Sequence, residues 1–144
     1  MIRDLIRLRV RLIWPEVVAL QIAVLLAAIL RGLDYIVPPD GNSAALSVVE
    51  RAASLDLWGS LFIAGGVLGL VGMRVTRWPI ASIGHVILLA TYSAFAVGSA
   101  FEIGGRPGAE GFRTPADWAL VFAVMHYCFA DACVDVWRER RRAA

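Results

Sequence analysis

Two long uncharged stretches separated by a short charged hinge constrain the fold of this chain most strongly. Residues 57–73 and 80–101 carry no formal charge, and the hinge between them contains Arg74, Arg77 and Pro79. At ~1.5 Å per residue the stretches are about 26 and 33 Å long, close to a hydrocarbon core of ~30 Å. The pattern predicts two membrane-spanning helices joined as a hairpin, with the hinge at a membrane surface.

The composition supports a membrane protein. Of the 144 residues 59% are hydrophobic, and the mean hydropathy is +0.69. The apolar runs are continuous rather than alternating, which favours helices over a β-barrel. We therefore predict an all-α fold: an integral membrane four-helix bundle, with residues 1–144 forming a single transmembrane domain. The expected partner is the lipid bilayer, because a net charge of +2 is too small to indicate binding to nucleic acid.

Two further apolar runs complete the predicted bundle, at residues 16–36 and 117–137. Two shorter segments are predicted to lie along the membrane surfaces. Residues 43–55 have the apolar spacing of a short outer-loop helix. Arg3, Arg7 and Arg11 recur every four residues, as in an N-terminal amphipathic helix, although a basic flank that only sets topology would show the same charges.

The distribution of arginine predicts the orientation. With both termini in the cytoplasm, ten of the fourteen basic residues lie on the inner side and four lie outside. The inner set includes Arg3, Arg7, Arg11, Arg74, Arg77 and Arg138. This asymmetry predicts that both termini are cytoplasmic.

Small residues mark the expected helix-packing faces. Gly65, Gly69 and Gly72 fall on one stripe of the second span, where the missing side chains let another backbone approach. On the third span the matching ridge is predicted at three small residues: Ala90, Ala94 and Gly98. These faces would serve either the bundle interior or self-association.

Polar residues inside the spans are the candidate functional residues, since such groups are expensive in lipid. When each span is centred in the bilayer, Gln21, His85 and Asp131 fall at similar depths on three helices, roughly 6–8 Å toward the cytoplasm. They are predicted to form one polar layer. It would act either as interhelical hydrogen-bond glue or as part of a proton or ion path.

The sequence gives little support for a haem site, a disulfide bond or an enzymatic active site. The same arithmetic places His126 near the midplane, about 8 Å above His85, which argues against one haem held between the two histidines. Cys128 and Cys133 are expected to be small buried residues that do not pair. No phosphate loop, paired-cysteine zinc motif or catalytic triad is recognisable. We expect no enzymatic activity, no metal site and no cofactor.

Several short motifs carry a resemblance. The segments are Arg77-Trp78-Pro79-Ile80, Gly84-His85-Val86, the run 126–131 and the ending Trp137-Arg138-Glu139-Arg140. Together they resemble small four-span membrane proteins encoded by phages of actinobacteria, some of which are assigned as holins or lysis accessories. The resemblance implies a protein of the bacterial cytoplasmic (inner) membrane. It covers mainly the last three spans, and it defines no functional residues.

Three functions are therefore considered. The first is holin-like permeabilisation of the membrane in host lysis, which requires assembly into a homo-oligomer. The second is a non-pore role as a superinfection-exclusion factor or as an accessory subunit of a larger membrane complex. The third is a small transporter or a haem-binding subunit, which would depend on the polar layer and the histidines.

Overall fold

The computed structural model describes residues 15–37, 52–104 and 116–143, and this part of the chain is helical apart from short turns. Helix α1 spans Pro15–Ile36, α2 spans Leu55–Arg74, α3 spans Trp78–Gly104 and α4 spans Asp117–Ala143. All four are long and apolar enough to cross a membrane. The prediction of an all-α protein with four such helices is confirmed. The predicted N-terminal amphipathic helix, with Arg3, Arg7 and Arg11, lies outside the described residues, as does most of the predicted outer-loop helix.

Local interactions determine where the helices begin and end. Pro15 opens α1, a position where its missing N–H is not needed. Ser54 caps α2 by accepting a hydrogen bond from the backbone N–H of Leu57 at 3.2 Å. Helix α4 extends six residues beyond the predicted span, because its arginine-rich tail continues the helix.

The hairpin between α2 and α3 turns within three residues. The N–H of Arg77 bonds to the carbonyl of Gly72, and the N–H of Thr76 bonds to that of Met73, which is a Schellman motif. Thr76 holds the left-handed position of this motif at a φ of 53°. A β-branched residue is strained there, because its Cβ crowds the backbone.

Replacing Thr76 by glycine is therefore expected to stabilise the protein. Relief of the left-handed conformation is worth roughly 1–2 kcal/mol. The added freedom of glycine in the unfolded chain costs about 0.5–1 kcal/mol. The net expectation is an increase of about 0.5–1 kcal/mol in the free energy of unfolding, measured by denaturation in detergent. Val75→Gly is the matched control: Val75 has a φ of −93°, so this change should destabilise. Equal destabilisation by both changes would contradict the assignment of strain to Thr76.

Helix α2 and helix α3 form the centre of the bundle, while α1 packs mainly against α2 and α4 mainly against α3. Glycines allow the close approaches. A Cβ added at Gly59 would lie 2.7 Å from the carbonyl oxygen of Gly32 on α1. One added at Gly65 would lie 3.1 Å from that of Gly84 on α3. Gly69 packs under the side chain of Leu25, and Gly72 packs against Ala81. The glycine stripe therefore lies in the interior of the bundle.

The packing face of α3 differs from the predicted ridge. Ala90 is exposed, so it takes no part in packing within the bundle. Ala94 is half-buried, Gly98 is buried, and α3 approaches the backbone of α2 closely at Gly84 and at Ala81. Ala90 lies six residues after Gly84, and at 3.6 residues per turn this places it on a different side of the helix.

Aromatic side chains fill one half of the core. This aromatic cluster brings rings from all four helices within 4.9–6.0 Å of each other, between centroids. It comprises Tyr35, Trp58, Phe62, Tyr92, Phe95, Trp118 and Phe122. Outside the bundle, large apolar side chains such as Leu30, Phe101 and Leu120 are 63–71% exposed. A belt of this kind suits contact with lipid rather than water.

Helix α4 contains an irregularity that the sequence did not indicate. Its first seven residues, Asp117–Ala123, form a π-helix, and the N–H of Val124 bonds to the carbonyl of Ala119. Turns of this type wind more slowly than α-turns, so side chains four residues apart stay closer to one line. Trp118, Phe122 and His126 lie at this spacing, and all three rings stack on Tyr92.

Candidate functional site: a buried glutamine and two histidines

Three polar side chains from three helices meet in the core of the bundle. Gln21 on α1, His85 on α3 and His126 on α4 are each 0% exposed. The side-chain nitrogen of Gln21, Nε2, lies 2.7 Å from Nε2 of His85. The Nδ1 atoms of His85 and His126 are 2.8 Å apart. We call these three residues the histidine chain.

Small and aromatic neighbours hold the histidine chain in place. Gly84, next to His85, lets α3 approach α2, and this fixes the depth of the ring between the helices. The ring of Phe129 lies 5.3 Å from that of His85, between centroids. The Tyr92 ring stacks on His126 at 5.3 Å with an interplanar angle of 10°. Packing on both sides leaves the rings little freedom to rotate.

The sulfur of Cys133 completes the surroundings of Gln21. Its Sγ atom accepts a hydrogen bond from Nε2 of Gln21 at 3.8 Å, and the residue is fully buried. Cys128 is exposed, so the expectation that both cysteines are buried is wrong for this one. Four small or polar residues of α4 are buried on one inward face of the helix: Ala123, His126, Ala130 and Cys133.

Two atoms of the histidine chain keep unused hydrogen-bonding capacity. Oε1 of Gln21 and Nε2 of His126 are buried and have no hydrogen-bond partner. They are the terminal polar atoms of the chain, one on α1 and one on α4. Buried polar atoms in folded proteins almost always have a partner, often a water molecule. The two ends of the chain are therefore suited to binding water.

The predicted polar layer is correct for two residues and wrong for the third. Gln21 and His85 meet as expected. Asp131 is exposed and does not join them; His126 takes the third place. The difference comes from the register of α4, which is set by contacts such as Ser82 Oγ donating to the Ala130 carbonyl at 3.1 Å.

That register displaces α4 along the bundle axis. In the arrangement predicted from the sequence, the centres of all four spans lie at the same depth. Compared with that arrangement, α4 is displaced by about five residues, roughly 8 Å, toward its own C-terminal end. The shift brings His126 level with His85. In a bundle centred in a bilayer, the same displacement would put Asp131 roughly 15 Å from the midplane, near the interface, where an exposed carboxylate is tolerated. The expected separation of about 8 Å between the two histidines is therefore wrong.

The basic residues gather at one end of the bundle, which we call the arginine end. There α2 and α4 finish and α3 begins, so that Arg74, Arg77 and Arg138 are exposed together. The guanidinium of Arg140 lies over the Trp78 ring, 5.5 Å from its centroid, and ties α4 to the start of α3. Arg31 lies in the other half, with its guanidinium 4.3 Å from the centroid of the Trp118 ring.

The geometry of the two histidines bears on the haem alternative. An iron between two axial histidines would separate their coordinating nitrogens by roughly 4 Å, twice a metal–imidazole bond of ~2.0–2.1 Å. The Nδ1 atoms stand 2.8 Å apart, which suits a hydrogen bond instead. Among residues 15–37, 52–104 and 116–143, no three His, Cys, Asp or Glu side chains are grouped so that they could hold a metal ion.

The histidine chain is suited to hydrogen bonding and to the movement of protons. Its groups can donate, accept and exchange protons, and they are shielded from lipid by the packing of four helices. No protein-family model, curated protein or solved structure matches this chain. The functional interpretation therefore depends on the geometry of the histidine chain and on the distribution of charge.

Proposed function

We propose that the protein is a small integral protein of the bacterial cytoplasmic membrane that permeabilises this membrane, in a holin-like role during phage-induced lysis of the host. The observation that supports the proposal is the histidine chain, a set of bonded polar groups in the core of four helices suited to a membrane. Polar groups at such positions are expensive, and they commonly mark ion or proton paths.

The polar groups extend over a substantial part of the bilayer. The guanidinium of Arg31 lies over the Trp118 ring, and the Tyr92 ring stacks on both Trp118 and His126. Along α1, Gln21 and Arg31 are ten residues apart, which is about 15 Å, or half of a hydrocarbon core of ~30 Å. Polar side chains thus follow the bundle axis from Arg31 to Gln21.

The proposed orientation places both termini in the cytoplasm. It is supported by the arginine end, where Arg74, Arg77 and Arg138 lie together, and by the excess of arginine among the segments assigned to that side. In this orientation Arg31 faces the outer half of the membrane. The histidine chain then lies between the membrane centre and the cytoplasm.

Induced expression in bacteria tests the proposed function. We expect loss of membrane potential, reported by a potential-sensitive dye, once the protein has accumulated in the membrane. Co-expression of an endolysin should then lyse the cells, because depolarisation is accompanied by release or activation of the enzyme.

Expression of an unrelated four-span protein to the same membrane level is the control for overloading of the membrane. Sustained potential and dye exclusion at high expression would refute permeabilisation. They would direct attention to the second candidate.

The second candidate is a non-pore membrane protein that docks on a larger membrane complex. An open groove of about 420 Å³ on the outside of α3 and α4 favours it. Small side chains line much of this groove, including Ser93, Ala96, Ala119 and Ala123. Small residues are typical of surfaces where transmembrane helices associate.

A further inference from the structure

The contact between the two histidines has room for one proton. At 2.8 Å the two Nδ1 atoms can form a hydrogen bond only if one of them carries hydrogen and the other offers its lone pair. Two N–H groups would repel each other, and so would two lone pairs. The protonation states of His85 and His126 are therefore coupled.

The amide of Gln21 fixes the direction of this hydrogen bond. When Nε2 of Gln21 donates to Nε2 of His85, the proton of a neutral His85 sits on Nδ1 and is donated to His126. The proton of His126 is then on Nε2, the atom with no partner. Rotating the Gln21 amide by half a turn makes Oε1 the acceptor and reverses every bond in the chain.

We propose that the histidine chain carries protons one at a time through the core of a single bundle. When Oε1 of Gln21 is the acceptor, Nε2 of His126 offers a lone pair and its Nδ1 carries the proton. A proton from water binds this lone pair, and the Nδ1 proton of His126 moves to Nδ1 of His85. His85 then releases its Nε2 proton to water beside Gln21. One proton enters and one leaves, and no electron is transferred.

Return to the arrangement with Oε1 as acceptor requires that each ring move its own proton to its other nitrogen without exchanging it with the water at either end of the chain. A short row of water molecules that enters when the Nδ1 contact opens and reaches both nitrogens of a ring allows this transfer, and the Gln21 amide rotates back. The unused capacity of Oε1 of Gln21 and Nε2 of His126 marks the two places where water meets the chain.

Apolar packing separates the Gln21 end of the chain from the arginine end. Ala81, Phe129 and Cys133 are buried there together. From Gln21 to the start of α1 the distance is about 9 Å, six residues along the helix. Water must enter this segment during each turnover, so the flux should be slow compared with that of an open pore.

The inference rests on the proposed function and narrows it, because it makes the proton the permeant species. We would reconstitute the purified chain in liposomes and follow proton entry with an internal pH-sensitive dye under a potassium gradient. Potassium flux and dye release are measured on the same vesicles. We expect proton entry without release of the dye. His85→Gln and His126→Gln should reduce it to the level of protein-free vesicles, because an amide hydrogen-bonds but does not relay protons.

Thr91→Val provides the matched control. Thr91 lies six residues from His85 on the same helix, is also buried, and donates its hydroxyl to the Ile87 carbonyl within that helix. Loss of this hydroxyl should leave proton flux unchanged. Proton flux that persists in both histidine variants would overturn the inference. Vesicles that release potassium and dye equally with and without the histidines would retain permeabilisation and refute the proton relay. Vesicles that pass nothing, together with cells that keep their potential, would refute both proposals.

Nitrogen-15 NMR of the wild-type chain gives a second readout that does not depend on how the variants fold. We expect a scalar coupling between the two Nδ1 atoms and both tautomers of each ring in exchange. A single fixed tautomer at both histidines would overturn the inference, because such a pair cannot pass a proton on.

Discussion

Replacement of Gly84 by leucine is expected to separate α2 from α3 and to remove the largest share of the stability of the bundle. A Cβ at this position would lie 2.6 Å from the carbonyl oxygen of Gly65 and would also meet the backbone of Gly69. Ordinary contacts between carbon atoms are ~3.5–4.0 Å, and backbone cannot rotate away as a side chain can. We expect the free energy of unfolding to fall by about 3 kcal/mol or more, at the upper end for overpacking.

Gly84→Leu should also disturb the histidine chain, because His85 follows Gly84 directly. A shift of α3 away from α2 would lengthen the 2.7 Å contact between Gln21 and His85. Membrane-potential measurements on cells expressing Gly84→Leu should therefore show less depolarisation at matched protein levels. Unfolding in detergent, followed by circular dichroism, measures the loss of stability.

Ala90→Leu is the matched control, since it adds a similar volume to the same helix at an exposed position. Its effect on the free energy of unfolding should stay within about 0.5 kcal/mol. Equal losses from the two substitutions would show that α2 and α3 do not meet at Gly84. They would instead support the predicted packing of α3 through Ala90, Ala94 and Gly98.

The helices themselves could be predicted from the sequence, because length and charge decide them. The uncharged stretches 57–73 and 80–101 became α2 and α3, with two or three residues added at most ends. The additions have local causes that a hydropathy pattern does not capture. Ser54 caps α2, so that the helix begins at Leu55, two residues before the uncharged stretch, and backbone hydrogen bonds close the α2–α3 turn.

Helix packing could be predicted only where glycine left a clear signal. Gly65, Gly69 and Gly72 have no side chain to place, so a stripe of them indicates a contact surface. Which ridge of α3 meets that surface depends on the rotation of α3 about its axis. Alanine is small enough for either a contact or a lipid-facing position. The sequence therefore predicted Ala90 at the contact with α2 and did not indicate Gly84, which lies there.

The histidine chain was only half predictable for a different reason. The position of a residue along its own helix follows from its residue number. The displacement of one helix along the bundle axis relative to another depends on tertiary contacts, such as the hydrogen bond of Ser82 with the Ala130 carbonyl. Treating each span as centred separated His126 from His85 and brought Asp131 to their level. The π-helical start of α4 adds to the error, because no sequence signal marked it.

The contrast between His85 and Asp131 yields the second large expected effect. His85 lies between two hydrogen bonds, so His85→Leu leaves both Gln21 and His126 with buried polar atoms unpaired. Each unpaired group costs roughly 1–3 kcal/mol, and we expect a loss of about 2–4 kcal/mol in the free energy of unfolding. Asp131→Leu removes an exposed carboxylate and should change that quantity by no more than about 0.5 kcal/mol.

A double-mutant cycle separates the hydrogen bond from the packing of the two side chains. Gln21→Leu and His85→Leu each strand a polar partner, but the double substitution removes the partners together, so it should cost less than the sum of the single changes. The coupling between interhelical partners in membranes averages ~0.6 kcal/mol and reaches ~1.7 kcal/mol. We expect a value near the top of this range, because the contact is short and fully buried. Additive effects, or an Asp131→Leu variant as unstable as His85→Leu, would show that the polar groups in the core are not paired as described.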